Sequence, residues 1–195
     1  MEKHAEAELF FGVMKIYIVE GDCFMENFFI ETERFIITEV DESMVQSIHE
    51  NSLDEDNRRF VPDEVFETIE DARQIVLSIL KWYKQDRASL VYPIILKDGA
   101  NIGYVQAVPY GDFNWEIGYH IAKKYTRNGY ATEAVRAFLP VIMKRLKIDK
   151  IIGVCLAENA ASRKVMERCG FILESNGLGS YQGQPRNICR YLYCV

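Results

Sequence analysis

The sequence predicts an α+β fold built on a mixed central sheet. Three observations lead there. The chain has 195 residues, 49% hydrophobic and 27% charged. That suits one globular domain with a sizeable core and excludes disorder of the whole chain. Runs rich in strand formers are interleaved with runs of helical period. In the middle of the chain three strand runs follow one another, whereas the next has a helix on either side before two more close the chain, so the sheet is mixed.

No repeat, low-complexity tract or linker interrupts the chain. Residues 1–24 read as an appended strand or arm, and residues 25–195 as a single domain. Residues 28–38 (FFIETERFIIT) are a strand by composition. Residues 42–51 carry Met44, Val45 and Ile48 at helical spacing. Residues 68–84 form a stronger helix, with Ile69, Ala72, Val76, Ile79, Leu80 and Tyr83 on one stripe. Thr68 is its cap, with Asp71 three residues on. Residues 90–96 and 102–108 read as a hairpin across a Lys-Asp-Gly turn, with Pro109 just beyond it. Residues 114–121 are the third strand of this group. Residues 130–146 are helical, with Val135, Phe138, Leu139, Ile142 and Leu146 on one face. Pro140 lies inside that helix, lacks a backbone donor and predicts a kink near Arg136. Residues 150–156 are an apolar strand. Residues 160–169 are a short helix that stops at Gly170. Residues 171–175 and 188–195 read as a closing hairpin, and its Gly-rich connection, 176–187, is expected to be a mobile loop.

The formal net charge of −6 disfavours a nucleic-acid partner. Between Asp41 and Asp71 eleven acids face two bases, Arg58 and Arg59; between Lys123 and Arg168 eleven bases face four acids. Two solvated helix faces would account for this. So would a basic end for an anionic cofactor and an acidic end for a cationic substrate, at opposite mouths of one site. The five cysteines show no Cys-x-x-Cys pair and no partnering His, so no metal site is expected. Cys155 and Cys169 lie in apolar patterns and suit the core. No run reaches the roughly 20 apolar residues of a membrane span. The acidic first residues lack the marks of a secretory signal, and with the odd thiol count they suggest the cytoplasm.

Chemistry concentrates in WEIGYHIAKKYTRNGYATEA, from Trp115 on. A strand ends at Ile121, and a short loop enters a helix through Gly129 and Ala131. A helix start offers unpaired N–H groups and the positive end of the dipole. Gly129 lets an anion approach the backbone, and Arg127 adds charge, so a diphosphate suits the site. An ordinary strand-to-helix turn would carry the same residues. The Gly-Lys-Ser/Thr ending of a Walker loop and the Gly-x-Gly-x-x-Gly dinucleotide pattern are both absent.

At these residues the chain resembles the GNAT acyltransferase superfamily, whose acyl-CoA loop reads Gln/Arg-x-x-Gly-x-Gly/Ala. Here it reads Thr126-Arg127-Asn128-Gly129-Tyr130-Ala131, and Thr126 departs from the long polar residue of the first position. The continuation Gly-Tyr-Ala-Thr-Glu-Ala is similar to the RimJ/RimL branch, which acetylates ribosomal-protein N-termini. Asn159-x-x-Ser162 followed by Gly170-Phe171 matches that branch as well, and Thr32-Glu-Arg-Phe35 stands where the branch has Thr-Glu-Arg-Leu. The three motifs stand in the right order over residues 28–195. The resemblance implies a mostly antiparallel sheet of about seven strands, splayed into a V between the fourth and fifth by a bulge. It implies acetyl-CoA as cosubstrate, with its pyrophosphate on the amides from Arg127 to Thr132, its pantetheine arm along the backbone near Ile121, and Asn159 and Ser162 on the cofactor side. For Asn159 a plain helix N-cap is the other possibility.

Transfer to an amine needs a neutral nitrogen and therefore a base. Glu116, on the third strand of the central group, is the base candidate; a solvent-facing strand glutamate is the alternative. His120 shares its strand face by alternation and has a pKa suited to proton transfer, although a lone strand histidine is more often structural. Many relatives place a tyrosine in the last helix as the acid for the thiolate; Met166 stands there and cannot donate a proton. Direct attack in a ternary complex on an amine, such as a protein N-terminus or a cationic small molecule, is the activity implied. The other reading is a non-catalytic acyl-CoA-binding sensor. An oligomer is compatible with either.

Overall fold

A computed structural model describes residues 28–195 and, for the backbone alone, residues 5–11 and 14–20. Cys23 and part of the appended arm lie outside the described residues. Strands β1 (Ala5–Phe11) and β2 (Met14–Glu20) pair as an antiparallel hairpin in a sheet of their own.

The run 28–38 is two short strands, β3 (Phe29–Glu31) and β4 (Phe35–Thr38), rather than one. Thr32 turns the chain between them. Its hydroxyl donates to the Phe35 carbonyl at 3.1 Å and accepts the N–H groups of Arg34 and Phe35 at 3.3 and 3.1 Å. A 3₁₀ turn at Glu42–Met44, capped by Asp41, leads into α1 (Val45–Ser52). A second, unforeseen helix, α2 (Glu55–Phe60), follows at once, with Asp54 accepting the Asn57 N–H at 2.9 Å as its cap. The helix α3 (Ile69–Trp82) begins at the expected cap, where Thr68 and Asp71 form a reciprocal capping box.

Strands β5 (Leu90–Leu96), β6 (Asn101–Tyr110) and β7 (Asn114–Ile121) form the antiparallel meander; β6 continues through Pro109, which pairs with Trp115. Helix α4 (Tyr130–Leu146) runs unbroken past Pro140, whose ring sits on the exposed face. Strand β8 (Lys150–Leu156) and helix α5 (Ala160–Arg168) follow. The expected mobile connection is instead regular: β9 (Ile172–Tyr181) and β10 (Gln184–Cys194) pair to their ends. Gln182 and Gly183 turn the chain with φ of 49° and 73°, the geometry that closes a tight hairpin. The strand ladder supplies the order that a Gly-rich composition hid.

The main sheet thus has eight strands in the order β3-β4-β5-β6-β7-β8-β10-β9, because the first predicted strand became two. Only β7 and β8 run parallel, and they share just two registered pairs, Glu116↔Ile152 and Ile117↔Gly153. Beyond Gly153 they part, which is the V. The expected bulge is not in β7, whose register with β6 runs without a shift from Tyr110↔Asn114 to Gly103↔Ile121. The shift lies one strand back, where Ile94 pairs with Gly103 but Ile95 with Asn101. Gly103 has a φ of 146°, and a Cβ there would lie 2.0 Å from the His120 carbonyl oxygen, so only glycine fits that approach.

Alternation along β7 divides the molecule. Trp115, Ile117 and Ile121 join the main core, in which α4 buries Val135, Phe138 and Ile142 against the sheet. Glu116, Gly118 and His120 turn to the other face. There α1 and α3 hold a smaller core of Val40, Val45, Ala72, Val76 and Ile79. Among the described residues no helix is long and apolar enough to cross a membrane, and no three metal-ligating side chains cluster.

Candidate active site

A 3₁₀ turn, Lys123–Tyr125, carries the chain from β7 to α4. Gly129 is the N-cap of α4, at a φ of 80° in the left-handed region that favours glycine. No side chain caps the helix, so the first-turn N–H groups of Tyr130, Ala131 and Thr132 keep their capacity to bind an anion. A Cβ on Gly129 would meet only Arg34, at 3.8 Å. Glycine is thus set here by backbone angle, and the helix start is open. Arg127 is exposed, and among the described residues its side chain has no hydrogen bond or ion pair. Thr126 and Asn128 behave differently, turning their side chains into the loop. Thr126 donates to the Lys123 carbonyl at 2.9 Å, and the Asn128 amide donates to the carbonyls of Tyr125 and Thr126 at 3.1 and 3.2 Å. They shape the loop and leave the Arg127 side chain and the first-turn amides of α4 unengaged.

Arg34 holds this loop from outside. Its guanidinium donates to Glu133 at 2.6 Å and to the Asn128 carbonyl at 2.8 Å, and it lies over the Tyr130 ring at 4.3 Å. The Thr-Glu-Arg-Phe match contained this residue but gave it no task, because the contact spans 99 positions in sequence.

At the other side of the V, Asn159 is the N-cap of α5, its Oδ1 accepting the Ser162 N–H at 3.0 Å. That is the plain capping role. The Ser162 hydroxyl lies 2.9 Å from the Tyr119 hydroxyl, which also donates to the Ser162 carbonyl at 3.0 Å. Tyr119 therefore ties the free end of β7 to α5, a link the sequence did not signal. Burial pushes its phenol above the ordinary range. Met166 is buried against Gly153, where a Cβ would come within 2.4 Å of its methyl carbon. It is a packing residue.

Glu116 is not a solvent-facing glutamate. It stands at the root of the V, and burial and the nearby Glu64 carboxylate raise its pKa to about 7, against a hydrogen bond from the Val154 backbone. Burial likewise pushes Glu64 up, offset by a hydrogen bond from Gln106 and the charge of His120. The Gln106 amide donates to Glu64 Oε1 at 3.2 Å, while Glu64 Oε2 is buried without a partner. His120 is four residues along β7, roughly 13 Å of strand from Glu116, so the two form no dyad. Its Nε2 is 3.5 Å from Asp54 Oδ2 and makes no hydrogen bond. Glu64, which sequence alone did not single out, raises the pKa of Glu116, while the charge of His120 works to lower its own. Tyr181 joins them from the β9–β10 hairpin: its hydroxyl donates to the Phe60 carbonyl at 2.9 Å, and burial and the charges of Glu116 and Glu64 raise its pKa.

The acidic segment does not sit at a mouth opposite to the basic loop. Asp54 accepts the Lys123 N–H at 3.0 Å and Asp56 pairs with the Lys123 ammonium at 2.6 Å, so α2 is fastened to the start of that loop. Burial works to raise the pKa of Asp54, but His120 and the N–H groups of Asn57 and Lys123 outweigh it and lower it to about 2. A cleft of about 250 Å³ opens between α2 and the β9–β10 hairpin, bordered by Arg59, Asp63, Glu158, Tyr181 and Arg186.

A sheet split between β7 and β8, with an uncapped helix start beyond its open end and a buried carboxylate at its root, is the arrangement of an acyl-group transferase. The Acetyltransferase (GNAT) domain family matches residues 34–172, and the chain belongs to that family of acetyltransferases. It is 34% identical to the Bacillus subtilis (strain 168) protein YnaD, an uncharacterized N-acetyltransferase, over 72% of this chain and 81% of that one. A GNAT-family acetyltransferase from Bacillus anthracis superposes with a TM-score of 0.73 at 29% identity, covering 86% of this chain and 98% of that one. The ribosomal-protein-S5-alanine acetyltransferase from Vibrio fischeri has a TM-score of 0.73 at 18% identity, over 86% and 96% of the two chains, which shows a shared fold.

Proposed function

We propose that the protein transfers the acetyl group of acetyl-CoA to a primary amine by direct attack in a ternary complex. The observation that carries this is Glu116. It is a largely buried carboxylate with a pKa of about 7, in one of the two registered pairs of β7 and β8 and one residue before the strands separate. A base with that pKa is half ionised at neutral pH and can take a proton from an ammonium held beside it. The uncapped start of α4 and Arg127 would hold the diphosphate of CoA, and the unpaired edge of β7 from Gly118 to Ile121 would receive the pantetheine arm. The family's acetyl-CoA chemistry supplies an activated thioester, so no enzyme-bound acyl group is needed. Glu116 takes one proton from the ammonium, the freed lone pair bonds to the carbonyl carbon, the carbon–sulfur bond breaks, and the nitrogen sheds a second proton as the amide forms. That second proton passes to the leaving sulfur, directly or through water, since Met166 has none to give.

The acceptor enters through the cleft between α2 and the β9–β10 hairpin. Asp63 and Glu64 beside it favour a cation, such as a protein N-terminus or a cationic small molecule. The test is release of CoA thiol from acetyl-CoA across a panel of amines and N-terminal peptides. No release above hydrolysis with any acceptor would overturn the proposal. A sensor that binds acyl-CoA without turnover is the second reading, favoured by the thioether of Met166 in place of a donor. Saturable CoA binding without thiol release would establish it.

A further inference from the structure

A second cavity of about 250 Å³ lies between the α1–α3 layer and the β5–β7 face of the sheet. Its walls are apolar, among them Ile48, Phe66, Ile75, Trp82 and Val91. The chamber exists because α1 and α3 close a small core on each other and stand off the sheet. Polar side chains interrupt that lining, Asn57, Glu64 and His120 among them. Each of these three has one buried polar atom without a hydrogen-bond partner: Asn57 Oδ1, Glu64 Oε2 and His120 Nε2. The Asn57 amide donates to the Ser52 carbonyl at 3.2 Å, so its oxygen is the atom left over. The His120 Nε2 faces the Asp54 carboxylate at 3.5 Å and serves it as a donor in an ion-pair contact. An unpaired buried acceptor is costly, and the two that remain in one lining, Asn57 Oδ1 and Glu64 Oε2, are a ligand's imprint.

Both are acceptors. A primary ammonium has three N–H donors and a positive charge. The rest of the chamber asks for an apolar group, and an apolar cavity of about 150 Å³ is already large enough for benzene. We infer that the acceptor is an amine with an apolar body of about phenyl size, its ammonium held by Asn57 and Glu64 and its body in the α1–α3 chamber. This rests on the acetyl-transfer reading and names its substrate class. It also explains why Glu64 and Glu116 are adjacent: the nitrogen captured at Glu64 is next to the base that deprotonates it.

Binding and turnover are measured separately, by calorimetry and by thiol release, with 2-phenylethylamine, ethylamine and 2-phenylethanol as probes. Removing the ring or replacing the amine should each weaken binding at least tenfold. Ile75→Trp and Val91→Phe, which fill the chamber from two different walls, should each erase the gain from the ring. Glu64→Gln should weaken both amines and leave the alcohol unaffected. Equal binding of the two amines, or a ring gain that survives both filling variants, overturns the inference even where ethylamine is acetylated. Ring-dependent binding without thiol release supports the chamber and overturns acetyl transfer. If the filling variants alter selection between hexanoyl-CoA and acetyl-CoA rather than between the amines, the chamber holds acyl chains and the inference fails.

Discussion

In Glu116→Gln a neutral amide of the same shape replaces the carboxylate, so turnover should fall by about a hundredfold to ten-thousandfold while acetyl-CoA affinity holds. For the wild type, kcat/KM should rise with pH through about 7, as Glu116 loses its proton. Near-normal turnover in the variant would show that Glu116 is not the base. The same residue leaves a mark on stability. Its folded pKa is above its ordinary 4.5, so the folded state holds an extra proton between pH 4.5 and about 7. Stability should therefore decline as pH rises through that window, by up to about 3 kcal/mol, and Glu116→Gln should flatten the decline. Denaturant titrations at pH 5 and 7.5 test this. Asp54 has the opposite sign: its pKa is lowered to about 2, so its contribution is present above pH 3.8 and lost as pH falls toward 2.

At the scale of one element, the start of α4 combines a left-handed N-cap, a missing side-chain cap and an external clamp. CoA should raise the melting temperature of the wild type. Gly129→Asp should keep the fold, since aspartate tolerates positive φ better than most residues, but should largely abolish the CoA-dependent rise by repelling the diphosphate. Unchanged CoA affinity in the folded variant would sink the loop assignment. Arg34→Ala touches no ligand directly, yet it releases the Asn128 carbonyl and Glu133. About a tenfold loss of CoA affinity is expected, with Arg34→Lys restoring little, because an ammonium cannot bridge both acceptors and stack on Tyr130.

Across the whole molecule the two charge blocks meet instead of facing each other from opposite mouths. Reversing Asp54, Glu55 and Asp56 to Lys would remove the α2 cap and set three cations against Lys123. The triple variant should melt several degrees lower and bind CoA more weakly, an effect on the fold and the loop as well as on steering. Reversing Glu67 and Glu70, whose partners are the exposed Arg58, Arg73 and Gln74, should leave the melting temperature nearly unchanged. Any slowing of a cationic acceptor in that second variant should fade with salt as the screening length falls to about 10 Å at 0.1 M. Normal CoA binding by the triple variant would show that α2 and the phosphate loop are uncoupled.

Sequence by itself determined what depends on short range. The bounds of β5, β7, β8 and α4 followed from local periodicity, and the capping box of α3 from residue types three positions apart. Gly129 and Arg127 were legible for the same reason, since a helix start is a local object. What the sequence misjudged depended on pairing across distance. The Gly-rich stretch before β10 is a strand because a partner strand satisfies its backbone, and the first strand is two because the Thr32 hydroxyl turns it. The site's electrostatics were hidden for a related reason. Glu64, Glu116 and His120 are separated by 52 and 4 positions in the chain and become one system only when α2 and its following turn fold over β7. Burial, which a sequence expresses only as an average pattern, then decides which of many carboxylates keeps its proton near neutrality.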